Sequence, residues 1–178
     1  MAAEIEFKLV ITENGEEVYA SSIGHRELTN LVINTPDIPD NQGFFKYASQ
    51  HPAYEVREQA ADKQHLPLDQ LRQLATDPNL EVRKAAIQQR KLKHSLSLEE
   101  LKSLISADAS LARLIAGSVE DFADVDVSEL CTILQHHTDP GVALELVEGY
   151  KTPRSVAKAF LKHPDASVAA AAKTALTD

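Results

Sequence analysis

The chain has 178 residues, of which 43% are hydrophobic and 25% charged, and its net charge is −9. That length and balance suit one domain, or a small module joined to one. A single cysteine, Cys131, excludes an internal disulfide and cannot by itself hold zinc or an iron–sulfur cluster. An acidic chain repels a phosphate backbone, so no nucleic-acid partner is expected.

The charge is uneven. Residues 1–40 carry −6, residues 41–99 carry +2 and residues 100–178 carry −5. The basic residues of the middle gather at Arg83, Lys84, Arg90, Lys91, Lys93 and His94, a pattern that reads as solvated helix ends and loop. The start, "MAAEIEFKLV", lacks the basic-then-apolar order of a signal peptide, and no apolar run reaches membrane-spanning length. A cytoplasmic protein is the expectation.

From Glu4 to Ser22 the residues alternate with period two, so Ile5, Phe7, Leu9 and Ile11 share one face. Asn14-Gly15 is a two-residue hairpin turn, because both residues accept positive φ. A turn there pairs Ile11 with Val18, Leu9 with Ala20 and Phe7 with Ser22. The resulting six-residue apolar face, Ile5, Phe7, Leu9, Ile11, Val18 and Ala20, must cover something, and the exposed first helix of a stacked array is the expected target. A short helix over about His25 to Ile33 and a connector over Thr35 to Gly43, with two prolines, complete an N-terminal region, residues 1–43.

Residues 44–178 read as helices joined at corners marked by Pro52, Pro78, Ala109, Pro140 and Pro164. The spacings of 26, 31, 31 and 24 residues signal stacked units, each unable to bury its apolar face alone. Ser97-x-x-Glu100 is a capping box, and Asp126 with Glu129 can act alike. At the 78 corner, Asp77 can accept amides of the next helix, and Pro78 suits its first turn. Val82, Ala85 and Ala86 then face the core, and Ala60 and Ala172 repeat the Ala86 position.

"LRQLATDPNLEVRKAAI" carries the pattern L-x-x-L-A-x-D-P-x-x-x-V-R, and "YASQHPAYEVREQAA" carries it with His51 in place of the Asp. "AFLKHPDASVAAAA" keeps the corner and loses the Arg, while "LISADASLARLIA" is one residue short. These segments resemble HEAT-like repeats of the bacterial leucine-rich repeat variant type. The resemblance implies a mainly α fold: a right-handed HEAT-like α-solenoid of about five degenerate helical repeats, with the hairpin as its N-terminal cap. It also implies binding rather than catalysis. Some members carry an N-terminal cysteine cluster for iron–sulfur; this chain lacks those cysteines, so no cofactor is carried over.

Other constellations have plain structural readings. Arg57 and Arg83, six residues past His51 and Asp77, are expected to bond an Asp or backbone of an adjacent repeat. His136 and His137 read as a helix end, not as metal ligands, since adjacent residues diverge on a helix. "EDFADVDVSE" reads as a solvated acidic linker. Cys131 reads as a small core residue. No nucleophile motif or metal set is present, so no catalytic residue is assigned and the chain is expected not to be an enzyme. The expected function is a non-catalytic protein-binding scaffold or adaptor, a class that includes inhibitor-like and chaperone-like roles. The alternatives are an enzyme on a HEAT-like scaffold, of bilin-lyase or DNA-glycosylase type, and a homo-oligomer built through the hairpin's strand edges or the last helix, Val168 to Leu176. The expected partner surface is the outward stripe of two second helices, Glu55, Glu58 and Asp62 on one and Glu81, Lys84 and Gln88 on the next. These two triplets are expected to form adjacent rows on a concave surface.

Overall fold

Asn14 and Gly15 both adopt positive φ, 53° and 87°, and close the hairpin as their chemistry dictates. The computed structural model of the protein describes residues 5–149 and 152–177. Glu4, the first residue of the alternating stretch, lies outside them. Strands β1 (Lys8–Glu13) and β2 (Glu16–Ser22) pair antiparallel. Their register departs from the sequence expectation. Glu13 pairs with Glu16 and Thr12 with Glu17, but Ile11 then pairs with Tyr19, Val10 with Ala20 and Leu9 with Ser21. The extra residue, Val18, forms a β-bulge, and every pairing beyond it slips by one. Tyr19 therefore takes the place beside Ile11 that was assigned to Val18.

The expected docking of a six-residue hairpin face is also corrected. Every residue of both strands is exposed. The hairpin meets the helices at its base, where the Phe7 ring lies edge-on to Phe44 at 6.0 Å and beside His51 at 6.0 Å.

Two units divide the chain at residues 89 and 90. The first holds the hairpin, α1 (His25–Asn34), a 3-10 turn (Pro39–Asn41), α2 (Gln42–Ala48), α3 (Tyr54–Ala61), α4 (Leu68–Leu74) and α5 (Leu80–Gln88). Helices α2 and α3 form one packed pair and α4 and α5 another, while α3 packs against both α1 and α5 to make a row. Their shared core includes Leu28, Phe45, Val56, Leu71, Val82 and Ile87. Ala60 and Ala86 are fully buried where the row closes up, since a methyl group lets helix axes approach.

The second unit holds α6 (Arg90–Lys93), α7 (Leu98–Ala107), α8 (Ala109–Ala116), a 3-10 turn (Val119–Asp121), α9 (Val127–Gln135), α10 (Pro140–Glu148), α11 (Arg154–Phe160) and α12 (Ala166–Thr177). The pairs are α7 with α8, α9 with α10 and α11 with α12, and the row is α8, α10 and α12. Ala172 is buried against that row as Ala60 and Ala86 are in the first unit. Three of the five sequence corners thus fall between the two helices of a pair and two, Ala109 and Pro140, open the second helix of a pair, and the fold is a mainly helical repeat with an N-terminal hairpin.

The caps explain where the helices begin. Ser97 and Glu100 form the expected capping box of α7, and Asp126 accepts the Glu129 amide at the start of α9. Asp139 caps α10 with Pro140 in its first turn. The 78 corner differs from expectation. Asn79, not Asp77, caps α5, accepting the amides of Glu81 and Val82. Asp77 instead accepts the Asn79 amide at 2.9 Å while both of its oxygens also accept from an arginine. The stretch read as an acidic linker is partly core: Phe122 is buried, as is Val119 just before the stretch, and the Lys93 ammonium bonds Asp121 at 2.7 Å. Among the described residues no helix is long and apolar enough to cross a membrane.

Candidate functional site

The repeat's most ordered polar feature is an arginine clamp. Arg57 Nη1 donates to the carbonyls of His51 and Pro52, six and five residues back. Its Nε and Nη2 donate to the two carboxylate oxygens of Asp77 at 2.7 and 2.9 Å, in the next corner. Arg83 repeats the first half with the carbonyls of Asp77 and Pro78. An arginine six residues past His51 or Asp77 thus folds back onto the carbonyls of the corner between the two helices of its pair. Burial pushes the Asp77 carboxyl up, but the bonds from Arg57 and from the Asn79 amide outweigh it. They hold its pKa below the usual carboxylate value. Arg113 and Asp139 form the same two-bond pair at 2.9 Å each. Sequence reasoning missed this second pair, because "LISADASLARLIA" is one residue short and its arginine sits out of step.

Histidines serve the same corners. His51 Nδ1 accepts the Ala53 amide, His137 Nδ1 the Asp139 amide and His163 Nδ1 the Asp165 amide, each at 3.1 Å. Each imidazole does here what Asp77 does for Asn79, which fixes Nδ1 as the unprotonated nitrogen. Cys131 is fully buried, and burial, helped by Asp126, pushes its thiol up to about 11. A group so placed stays protonated and is a poor nucleophile.

The expected partner surface lies on α3 and α5, which are neighbours in the row. Glu55 and Glu58 are half-buried, while Asp62 and Glu81 are exposed. Burial, then the charges of Asp62, Glu81 and Glu55, raises the Glu58 carboxyl above its ordinary value. The acids of both helices therefore lie close enough to Glu58 to act on its carboxyl. Lys84 is half-buried and turns to Glu81 at 3.0 Å, while Gln88 is exposed at the end of α5. The basic cluster read from the sequence is largely occupied: Lys93 bonds Asp121, and Arg83 holds backbone carbonyls.

Residues 54–79 match the leucine rich repeat variant family. The matched stretch runs from the start of α3 through α4 to the Asp77–Asn79 corner, so it contains Arg57 and its carboxylate partner. No curated protein and no solved structure matches the chain. Leucine rich repeat variant segments commonly mediate protein interaction and are generally non-catalytic. A cleft of about 630 Å³ in the second unit is lined by Val147, Glu148, Thr152, Arg154, Ala171 and Thr174 among others. Among the described residues its lining holds no His, Cys or Ser. Among them, too, no three of His, Cys, Asp and Glu are placed to share a metal ion.

Proposed function

We propose that this chain is a non-catalytic adaptor that binds another protein through the acidic surface of α3 and α5. One observation carries the reading: on the neighbouring helices α3 and α5, of which α3 lies in the segment that matches the repeat family, the charges of Asp62, Glu81 and Glu55 add to the burial that raises the Glu58 carboxyl. A fold gains nothing from like charges held this close, whereas a basic partner surface relieves them. Stacked helices supply a broad, stiff platform for such contacts. The partner's complementary face is expected to carry Lys or Arg, and the association to weaken with salt.

The reading is tested by affinity purification of the tagged full chain from its native cell. Recovery of one stoichiometric protein with a basic surface is the expected result. A co-purifying coloured or small ligand without a protein partner overturns it in favour of an enzyme.

A further inference from the structure

The hairpin is the most exposed apolar part of the described molecule. Leu9, Val10, Ile11, Val18 and Tyr19 are each between 44% and 56% exposed. A two-stranded hairpin is marginal by itself and gains from further strands. Among the described residues no third strand joins either edge, but the two edges are not equivalent. The bulge at Val18 disturbs β2 alone. A bulge twists its strand and blunts that edge for pairing. The edge of β1 is regular. The Ile23 amide donates to the Phe7 carbonyl at 2.9 Å, so Phe7, Leu9 and Ile11 direct their backbone groups at β2. Alternation then turns those of Lys8, Val10 and Thr12 outward.

We propose that a second copy of this chain pairs antiparallel with the β1 edge, Val10 opposite Val10, to make a four-stranded sheet across a two-fold axis. Three features select this occupant and register. Outward backbone groups meet outward groups only if the register is even, which leaves steps of two residues. With Val10 on the axis, Leu9 faces Ile11 of the other copy and Lys8 faces Thr12, so apolar meets apolar. One step toward the turn sets Leu9 against Glu13, and one step toward the base sets Lys8 against Val10. The charges favour the antiparallel sense. Glu13, Glu16 and Glu17 cluster at the tip and Lys8 lies near the base. The base is balanced, since Lys8 pairs with Glu6 at 3.1 Å, so antiparallel pairing sets each acidic tip against a neutral base, whereas parallel pairing stacks tip on tip. The contact is isologous, so it closes at two copies and does not propagate.

The test uses the full chain in sedimentation equilibrium over a concentration series. A mass rising to twice the 19.5 kDa monomer is expected. Val10→Pro removes an outward amide that β2 does not use, so it should abolish the dimer and leave the helical signal and melting unchanged. Oxidation of cysteine variants reads the register. Val10→Cys places two Cα atoms about 5.5 Å apart, within disulfide reach, and should give a covalent dimer. Thr12→Cys places its copies roughly 14 Å apart and should not. Buried Cys131 does not compete. A monomer at every concentration, a dimer indifferent to Val10→Pro, or equal cross-linking by both cysteine variants would each overturn the proposal.

Discussion

Removing the Asp77 carboxylate is the sharpest test of the corner architecture. Its side chain is 7% exposed and that of Arg57 14%, so the pair is nearly out of water. In Asp77→Ala the guanidinium loses two charge-assisted bonds and the Asn79 amide loses its acceptor. Breaking a buried pair from one side costs about 3–5 kcal/mol, but Arg57 keeps two carbonyl partners, so roughly 2–4 kcal/mol is expected. For a chain of this size, about 3 kcal/mol lowers Tm by roughly 6–12 °C. The same pair in the second unit is a built-in control. Arg113 is 52% exposed, so Asp139→Ala paired with Arg113→Ala should show a coupling of only about 0–1 kcal/mol. Far-UV circular dichroism follows both, and tyrosine fluorescence isolates the first unit, which holds Tyr19, Tyr47 and Tyr54 of the four tyrosines. Equal coupling energies at the two pairs, or an Arg57–Asp77 coupling below about 0.5 kcal/mol, would refute the reasoning that burial makes the difference.

Other expectations rest on the same geometry. Glu58 has a raised folded pKa, so its ionisation opposes folding above that value. Glu58→Gln should therefore raise Tm at pH 7, by less than about 1 kcal/mol of stability, and the gain should vanish at pH 4. Burial, with the charges of His25 and Arg57, holds the His51 pKa below its usual value. Its contribution is thus complete above the unfolded pKa of about 6.5 and lost as pH falls through the folded one. His51→Asn, which retains an amide acceptor, should flatten that part of the stability profile between pH 7 and 5 when melting is followed across it. Cys131 should resist a thiol reagent at pH 8 until the chain is unfolded in urea; prompt labelling of the native protein would show that the α9 core opens readily.

Much of the fold was written in local chemistry. Pro52, Pro78, Pro140 and Pro164 mark corners because proline ends one helix and suits the entry to the next, and the spacing of Ala109 completed the set. Val56, Ala60, Val82 and Ala86 revealed the buried stripe because i, i+3 and i+4 positions share a helix face. The misses have physical causes. The bulge at Val18 adds one residue to a strand of unchanged composition, so alternation alone could not locate it. Asp77 and Asn79 are both good caps two residues apart, and the arginine arriving from Arg57, twenty residues upstream, decided between them. Phe122 is buried although acids surround it in sequence; it follows directly on a 3-10 turn, Val119–Asp121, too short to leave a periodic signal. For the candidate surface, the outward direction of Glu55, Glu58 and Glu81 was legible from helix periodicity. The effect of Glu81 on Glu58 depends on α3 lying beside α5, which no single helix encodes.

The adaptor reading rests on that acidic surface. It is tested most directly by reversing Glu55, Glu58 and Glu81 to Lys and titrating wild type and variant with the purified protein partner by calorimetry, at low and high salt. The account predicts a Kd raised by about tenfold or more at low salt, a smaller difference at high salt, and melting nearly unchanged. Equal affinity for the two proteins at both salt concentrations would contradict it and remove the surface of α3 and α5 from the binding function.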